Sequence, residues 1–149
     1  MTVSRNDREP SRPYPVRVAL RCLIVDDNPG FLNAARALLE QEGMCVVGVA
    51  SNDTEAVRQV ADLSPDVTLL DIDLGSASGF DVARRLVEDP GVDPGQLIMV
   101  SAYAEDDFLE LIEASPAIGF LRKPVLSVRA IEDLLSATGH RIPEPEHES

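Results

Sequence analysis

The sequence predicts an α/β protein built on one parallel β-sheet with helices on both faces. Five apolar segments of strand length alternate with five amphipathic segments of helix length. The apolar segments contain few polar interruptions, as expected for strands that are buried on both sides. Several of them end abruptly at a charged or hydroxyl side chain, which indicates that polar groups collect at one edge of the sheet.

The first strand–helix unit has clear boundary signals. A strand is predicted at residues 18–25. Asn28 offers an N-cap and Pro29 a first helical residue, and Gly43 supplies a stop. One face of this helix carries the apolar residues Phe31, Leu32, Ala35, Leu38 and Leu39.

The second and third units repeat the pattern. Strands are predicted at residues 44–49 and 67–70, with a helix at residues 53–63 between them and a loop at residues 73–78 after them. The inward positions of the second helix are Ala56, Val57 and Val60. The third helix has on one side Phe80, Ala83, Leu86 and Val87.

The fourth and fifth units complete the sheet. Strands are predicted at residues 97–100 and 118–121, and Ser127 can cap the last helix. The fourth helix presents Phe108, Leu111 and Ile112. The fifth presents Val128, Ile131, Leu134 and Leu135.

Composition bounds the location and the partners. Residues 1–16 and 139–149 are rich in proline and charge and are predicted to be a flexible arm and a flexible acidic tail around one domain at residues 17–138. No apolar run is long enough for a membrane span or a signal peptide, so we expect a cytoplasmic protein without a membrane partner. Cys22 and Cys45 are predicted to be small buried hydrophobes in a reducing compartment.

The charge balance argues against nucleic acid as a partner. Acidic residues number 26 against 13 basic ones, a formal net charge of −13, and such a surface repels phosphate backbones. His140 and His147 both fall in the tail, so the body offers no histidine for a metal site or a nucleophile pair. Direct DNA binding is therefore not expected.

The strand ends carry the candidate chemistry. In a strand order of 2-1-3-4-5, the first and third strands are neighbours, so Asp26 and Asp27 converge with Asp71. Taken singly, each acid is a common turn or cap residue, and Ser101 and Lys123 are ordinary loop residues. Together, however, these side chains are predicted to lie at the same edge of one sheet.

Three carboxylates in one pocket need a cation. At about 4 Å and an effective dielectric near 20, each like-charged pair costs roughly 4 kcal/mol. An all-oxygen set with room for water and phosphate oxygens suits Mg²⁺ or Mn²⁺. Lys123, the only lysine among 13 basic residues, adds a compact positive charge, and Ser101 adds a hydroxyl donor. This set predicts an electrostatic clamp for a phosphoryl group.

The pattern resembles the receiver domain of bacterial two-component response regulators, whose fold is the flavodoxin-like (βα)5 arrangement. The similarity covers residues 17–138 and lies in the segments LIVDDN, LLDIDL with SGF, VSAY and GFLRKP. It implies that Asp71 is the phosphoacceptor, that Asp26 and Asp27 hold Mg²⁺ with it, and that the backbone carbonyl of Asp73 completes the protein ligands. It also implies phosphoryl contacts from Ser101, Lys123 and the backbone of Ala102.

The resemblance further implies a switch and its partners. Ser101 and Phe120 occupy the positions of the switch pair, and the bond before Pro124 is often cis in the family. The phosphodonor would be a histidine kinase or a histidine phosphotransfer protein, and the output would be a protein contact or a homodimer through the fourth helix, fifth strand and fifth helix. Because only about ten residues follow the last predicted helix, we expect a stand-alone receiver.

Two departures from the family pattern bear on the loop after Asp71. Many receivers have proline where this chain has Gly75, which predicts a more mobile loop here. Asp73 and Tyr103 occupy positions that tune phosphoryl lifetime in the family. The direction of their effect does not follow from the sequence.

Two other classes of protein remain as alternatives. The segment LLDID also resembles the first motif of haloacid-dehalogenase-type phosphatases, in which Asp71 would be the nucleophile and Asp73 the acid/base. The acidic pair Asp26/Asp27, however, precedes the nucleophile, whereas it follows it in that family. The other alternative is a binding module, either a degenerate receiver or an FMN carrier. We expect a signalling phosphoacceptor rather than an enzyme.

Overall fold

The computed structural model describes residues 19–75 and 77–137. The predicted arm at residues 1–16 and tail at residues 139–149 lie outside the described residues, as does the first residue of the predicted first strand. Within the described part, the order of elements is the predicted alternation of strands and helices. None of the helices in this part has the length and apolar character that crossing a bilayer requires.

The sheet has five parallel strands. They are β1 (Arg21–Val25), β2 (Cys45–Ala50), β3 (Val67–Asp71), β4 (Gln96–Ser101) and β5 (Gly119–Arg122). The spatial order is β2-β1-β3-β4-β5, which confirms the predicted order 2-1-3-4-5. The order reverses between β1 and β3, so a crevice opens outside the carboxyl ends of these two strands.

The helices begin where capping residues are available. They are α1 (Pro29–Gln41), α2 (Asp53–Leu63), α3 (Gly79–Glu88), α4 (Leu109–Ala114) and α5 (Val128–Ala137). The side chain of Asn28 accepts the Phe31 N–H at the start of α1, and Ser127 Oγ accepts the Ala130 N–H at the start of α5. Each cap satisfies a backbone donor that the helix itself leaves unpaired.

The sheet separates two hydrophobic cores. On one face, α1 and α5 pack against alternate residues of the central strands, including Ile24 and Leu69. On the other face, α2, α3 and α4 pack against the intervening residues, including Leu23 and Leu70. This alternation is the period of two of a strand buried on both sides, and it holds the strand ends in fixed register.

Three predicted burial assignments are wrong. Val87 is 47% exposed because it lies about 100° around the α3 axis beyond Leu86, outside the stripe that faces the sheet. Leu111 is 54% exposed because α4 is short, starts only at Leu109, and turns Ile112 inward instead. Cys45 is exposed at the first position of an edge strand, whereas Cys22 is buried as predicted.

The bond before Pro124 also differs from the expectation. The Lys123–Pro124 peptide is trans. Arg122 has an extended backbone, and Lys123–Val125 forms a 3-10 turn that the Leu126 N–H closes on the Lys123 carbonyl at 3.3 Å. A trans proline with its fixed φ fits the first residues of such a turn, so the loop is tight without a cis bond.

Close backbone packing fixes the end of β3. The Gly79 N–H donates to the Ile72 carbonyl at 2.8 Å, and a Cβ added at Gly79 would lie 2.0 Å from the Asp71 carbonyl oxygen. These contacts are with backbone, which cannot rotate away. The start of α3 therefore rests directly against the residue that ends β3.

We predict that Gly79→Ala lowers the free energy of unfolding by about 2 to 4 kcal/mol, because the added methyl group overlaps backbone atoms. Urea denaturation followed by circular dichroism measures this change. Gly91→Ala is the matched control, since the nearest heavy atom to its Cβ is Asp89 Oδ1 at 3.6 Å. Equal stability of the two variants would contradict the packing described here.

Candidate functional site

The strands deliver their terminal polar residues to one edge of the sheet. Asp26 follows β1 directly, Asp71 ends β3, Ser101 ends β4, and Lys123 follows β5 in the 3-10 turn. Adjacent strands keep these ends level, because Val25 pairs with Leu70. Likewise, Asp71 pairs with Val100, and Ser101 pairs with Arg122.

The predicted acidic cluster is present. Asp26, Asp27 and Asp71 each have a carboxylate oxygen within 4.8 Å of one from each of the other two. Asp26 is 0% exposed and Asp71 is 7% exposed, whereas Asp27 lies at the surface. The cluster lines a polar cleft of about 220 Å³, whose walls also include Asn28, Asp73, Gly75, Ser101, Ala102, Tyr103 and Lys123.

Lys123 enters the cleft from the β5 side. Its Nζ lies 2.6 Å from Asp26 Oδ2 and 3.5 Å from Asp71 Oδ2. The Asp26 Oδ2 atom is buried, and its polar contact is this ion pair with Lys123. One ammonium thus faces two of the three carboxylates.

Backbone N–H groups orient the acidic side chains. The Asn28 N–H donates to Asp26 Oδ1 at 2.8 Å, and the Asp73 N–H donates to Asp71 Oδ1 at 3.2 Å. On the β4 side, the Tyr103 N–H donates to Ser101 Oγ at 3.0 Å. Each of these bonds spans two residues, so the turn that ends a strand also aims the polar group at its end.

Burial and crowding change the protonation of Asp71. Burial, followed by the neighbouring charge of Asp26, raises the pKa of Asp71 from its usual 3.8 to about 6. The Asp73 N–H and the charge of Lys123 act in the opposite direction and only partly offset these effects. Burial also lowers the pKa of Lys123, but its contacts with Asp26 and Asp71 outweigh burial, so the net shift is upward.

These residues fit a hard divalent cation. The donors are carboxylate oxygens within 4.8 Å of one another, and they line the cleft. Mg²⁺ and Mn²⁺ prefer such oxygen donors and keep several waters. A single lysine does not neutralise three carboxylates, so a cation would relieve the remaining repulsion.

The loop after Asp71 explains one departure from the family pattern. Gly75 has φ +77°, a conformation that proline cannot adopt, and a Cβ there would lie 2.9 Å from Asp27 Oδ2. The Gly75 N–H donates to Asp73 Oδ1 at 2.9 Å, which ties the Asp73 carboxylate to the loop. Glycine at this position therefore makes room for Asp27.

The structure brings the predicted site residues together on the cleft, apart from the switch residue Phe120 and Pro124. Phe120 is 8% exposed and packs in the core formed by α2, α3 and α4. Tyr103 is exposed and lies 6.5 Å from the ring of Phe108. Sequence reasoning missed the contact of the Phe31 ring with Lys123, because Phe31 reads as an ordinary core residue of α1; no motif marks it.

Comparison with known proteins agrees with this architecture. The family model described as the response regulator receiver domain matches residues 22–136. The chain is similar to the receiver domain of sensor histidine kinase PA1611 from Pseudomonas aeruginosa PAO1, with 22% identity, a TM-score of 0.68, and coverage of 82% of this chain and 99% of that one. That structure has a magnesium ion coordinated in its active site cleft.

Two curated relatives are longer than this chain. The uncharacterized transcriptional regulatory protein YvfU of Bacillus subtilis (strain 168) is 32% identical over 133 residues, which cover 85% of this chain and 64% of the relative. Protein-glutamate methylesterase/protein-glutamine glutaminase 3 of Hahella chejuensis (strain KCTC 2396) is 39% identical over 80 residues, 54% of this chain and 22% of the relative. The chain therefore spans less than two thirds of either relative, one of which is an enzyme by name.

We predict that Asp71→Asn stabilises the metal-free protein near pH 7. Because the folded-state pKa is raised, the carboxyl group's contribution to stability is fully present below pH 3.8 and is lost as the pH rises through about 6. The variant should match the wild type near pH 4 and exceed it by about 1 to 3 kcal/mol at pH 7.

Urea denaturation in a chelator across this pH range measures the difference. Asp133→Asn, at an exposed position of α5, controls for the loss of one negative charge. An Asp71→Asn protein that is no more stable than the wild type at pH 7 would contradict the crowding of Asp71 by burial and Asp26.

Proposed function

Because the chain belongs to the response regulator receiver domain family, we propose that it accepts a phosphoryl group on the carboxylate of Asp71. The observation that carries this proposal is the cluster of Asp26, Asp27 and Asp71 at the carboxyl edge of the sheet, where Lys123 pairs with Asp26 and Asp71. The donor is a phosphohistidine on a histidine kinase or a histidine phosphotransfer protein, the partners with which receiver domains generally interact. The enzymatic and transcriptional roles in the relatives' names are not part of this proposal, because the chain matches only part of each relative.

Asp71 is the acid best suited to be the nucleophile. Its carboxylate lines the cleft within 4.8 Å of those of Asp26 and Asp27, and its Oδ2 lies 3.5 Å from Lys123 Nζ. In the transfer, a carboxylate oxygen of Asp71 forms a P–O bond as the P–N bond to the donor histidine breaks, and the electron pair of that bond goes to the imidazole nitrogen. The hydrogen bond from the Asp73 N–H keeps the carboxylate in place for in-line attack.

The cation site is proposed from the same acids. Asp26, Asp27 and Asp71, with the backbone carbonyl of Asp73, would hold Mg²⁺, and Mn²⁺ would serve in its place. The bound ion supplies charge neutralisation at the phosphoryl oxygens. The N–H of Asn28 positions Asp26 for this role by donating to its Oδ1.

Lys123, Ser101 and the backbone of Ala102 complete the clamp on the phosphoryl group. Lys123 Nζ already pairs with Asp71 Oδ2, so a group attached to Asp71 would remain within reach of the ammonium. Ser101 Oγ accepts the Tyr103 N–H and keeps its own proton free to donate to a phosphoryl oxygen. These donors face the negative charge that phosphoryl transfer concentrates.

The output is proposed to be a change of protein-binding surface. Ser101 ends β4 beside β5, where Phe120 sits, so movement of Ser101 toward the phosphoryl group is coupled to Phe120 and to the face of α4, β5 and α5. We infer that a downstream protein or a second copy of the chain reads this face, in the cytoplasm and without direct DNA binding. To shift the protein from a mostly inactive to a mostly active conformation, phosphorylation has to stabilise the active conformation over the inactive one by about 5 kcal/mol.

The family match gives no support to the haloacid-dehalogenase-type alternative. The geometry is also unfavourable to it, because Asp73 Oδ1 accepts the Gly75 N–H, so its carboxylate is bound to its own loop. An acid/base residue has to reach the leaving group of the substrate. We therefore propose a phosphoacceptor that turns over only its own phosphoryl group.

Incubation with acetyl phosphate tests the assignment of Asp71. We predict one phosphoryl adduct by intact mass, dependent on Mg²⁺ and labile to hydroxylamine as an acyl phosphate is, and no adduct in Asp71→Asn. Asp73→Asn is the matched control and should still be labelled, because Asp73 contributes only its backbone to the proposed site. Labelling of Asp71→Asn at the wild-type level would exclude Asp71 as the acceptor.

We also predict that Lys123→Arg slows labelling by about tenfold or more, since a broad planar guanidinium cannot replace a compact ammonium between two carboxylates. The rate of adduct formation at saturating Mg²⁺ measures this. Arg122→Lys, the reverse exchange at the exposed neighbouring position, should leave the rate unchanged. If Lys123→Arg reacts as fast as the wild type, the proposed clamp does not depend on a point charge.

A further inference from the structure

The ring of Phe31 lies against the reactive ammonium. Lys123 Nζ is 4.4 Å from the centroid of the Phe31 ring, within the distance at which a cation is attracted to an aromatic face. Phe31 is only partly buried, in the first turn of α1. Its side chain packs against the hydrophobic core under α1 and is also partly exposed.

Lys123 lies on the boundary between two environments. Its ammonium contacts Asp26 and Asp71 in the acidic cleft, and the residue also lines an apolar groove of about 330 Å³ formed with Phe31 and Leu38 of α1 and with Leu126. A lysine stem packs well on apolar surface while its head stays in a polar region. The Phe31 ring lies where these two regions meet.

The contact between Phe31 and Lys123 completes a cycle of interactions that begins and ends at Asp26. Asp26 Oδ1 accepts the Asn28 N–H, and Asn28 Oδ1 in turn accepts the Phe31 N–H at 3.1 Å. The Phe31 ring contacts Lys123 Nζ. The same Nζ atom lies 2.6 Å from Asp26 Oδ2, which completes the cycle of contacts. The cap that starts α1 thus sets the place of the ring relative to the carboxylate that the lysine binds.

We propose that Phe31 is a positioning residue that holds the Lys123 ammonium at the phosphoryl site through a cation–π contact. The inference rests on the proposed function of Asp71 and Lys123 and adds a residue to it. A lysine side chain has many rotamers, and its carboxylate contacts must rearrange when Asp71 acquires a phosphoryl group. The ring is a neutral contact that takes no part in the transfer, so its hold on Nζ persists.

Substitutions of Phe31 separate ring electrostatics from packing. We expect Phe31→Leu to slow labelling by acetyl phosphate about 3- to 20-fold at saturating Mg²⁺, and Phe31→Tyr to stay within about threefold of the wild type. Mono-, di- and trifluorophenylalanine at position 31 should slow labelling in steps, because fluorine withdraws charge from the ring face at nearly constant shape. A flat fluorine series, or Phe31→Leu within twofold of the wild type, would overturn the proposal.

The matched control is Leu38→Ala, which removes apolar contact from the same groove on α1. It should lower thermal stability without slowing labelling. A slowing equal to that of Phe31→Leu would show that the apolar groove, and not the ring face, holds the lysine, and would overturn the proposal.

A second readout does not depend on activity. Lys123 is the only lysine in the sequence, so isotope-labelled lysine gives one set of side-chain NMR signals. In the metal-free wild type, the ε-methylene protons should be shifted upfield by the ring current, and this shift should vanish in Phe31→Leu. An unshifted wild-type signal would overturn the contact, whereas labelling of Asp71→Asn would overturn the proposed function instead.

Discussion

Mutual repulsion among the carboxylates at the carboxyl edge of the sheet governs the arrangement of the rest of the site. Two of these acids are buried, and each like-charged pair at about 4 Å costs roughly 4 kcal/mol at an effective dielectric near 20. The chain tolerates this crowding by placing backbone N–H groups on Asp26 and Asp71 and the ammonium of Lys123 between them. Burial first, and then the neighbouring charge of Asp26, raises the pKa of Asp71 to about 6. Acids with a pKa shifted in this way are typical of functional sites.

Packing on both faces of the sheet keeps the ends of those strands in fixed register. Two hydrophobic cores clamp the sheet from both faces, so the register between β1, β3 and β4 cannot slip without exposing apolar side chains. Gly79 then presses the start of α3 onto the end of β3, and the N-cap of α1 links Asp26 to Phe31. Rigid elements thus carry the charged groups, and short turns aim them.

Most of the architecture and the acidic cluster could be predicted from the sequence, because strand ends are marked by abrupt changes from apolar to polar residues. The helix at residues 53–63 was predicted from its inward apolar positions, and the cap at Asn28 from its place before Pro29. The exposure of Val87 and Leu111 could not be predicted, because hydrophobic periodicity locates the buried face of a helix only to within about one residue. The trans bond before Pro124 and the ring contact of Phe31 depend on three-dimensional packing between distant elements, which no local pattern encodes.

We propose that the acids at the ends of β1 and β3 share one divalent cation. A titration with Mg²⁺, followed by the backbone amide NMR signals, is the decisive test. We expect saturable one-to-one binding, with the largest changes at Asp26, Asp27, Asp71 and Asp73, and loss of that binding in Asp26→Asn. Weak, unsaturable changes spread over the acidic surface would contradict it.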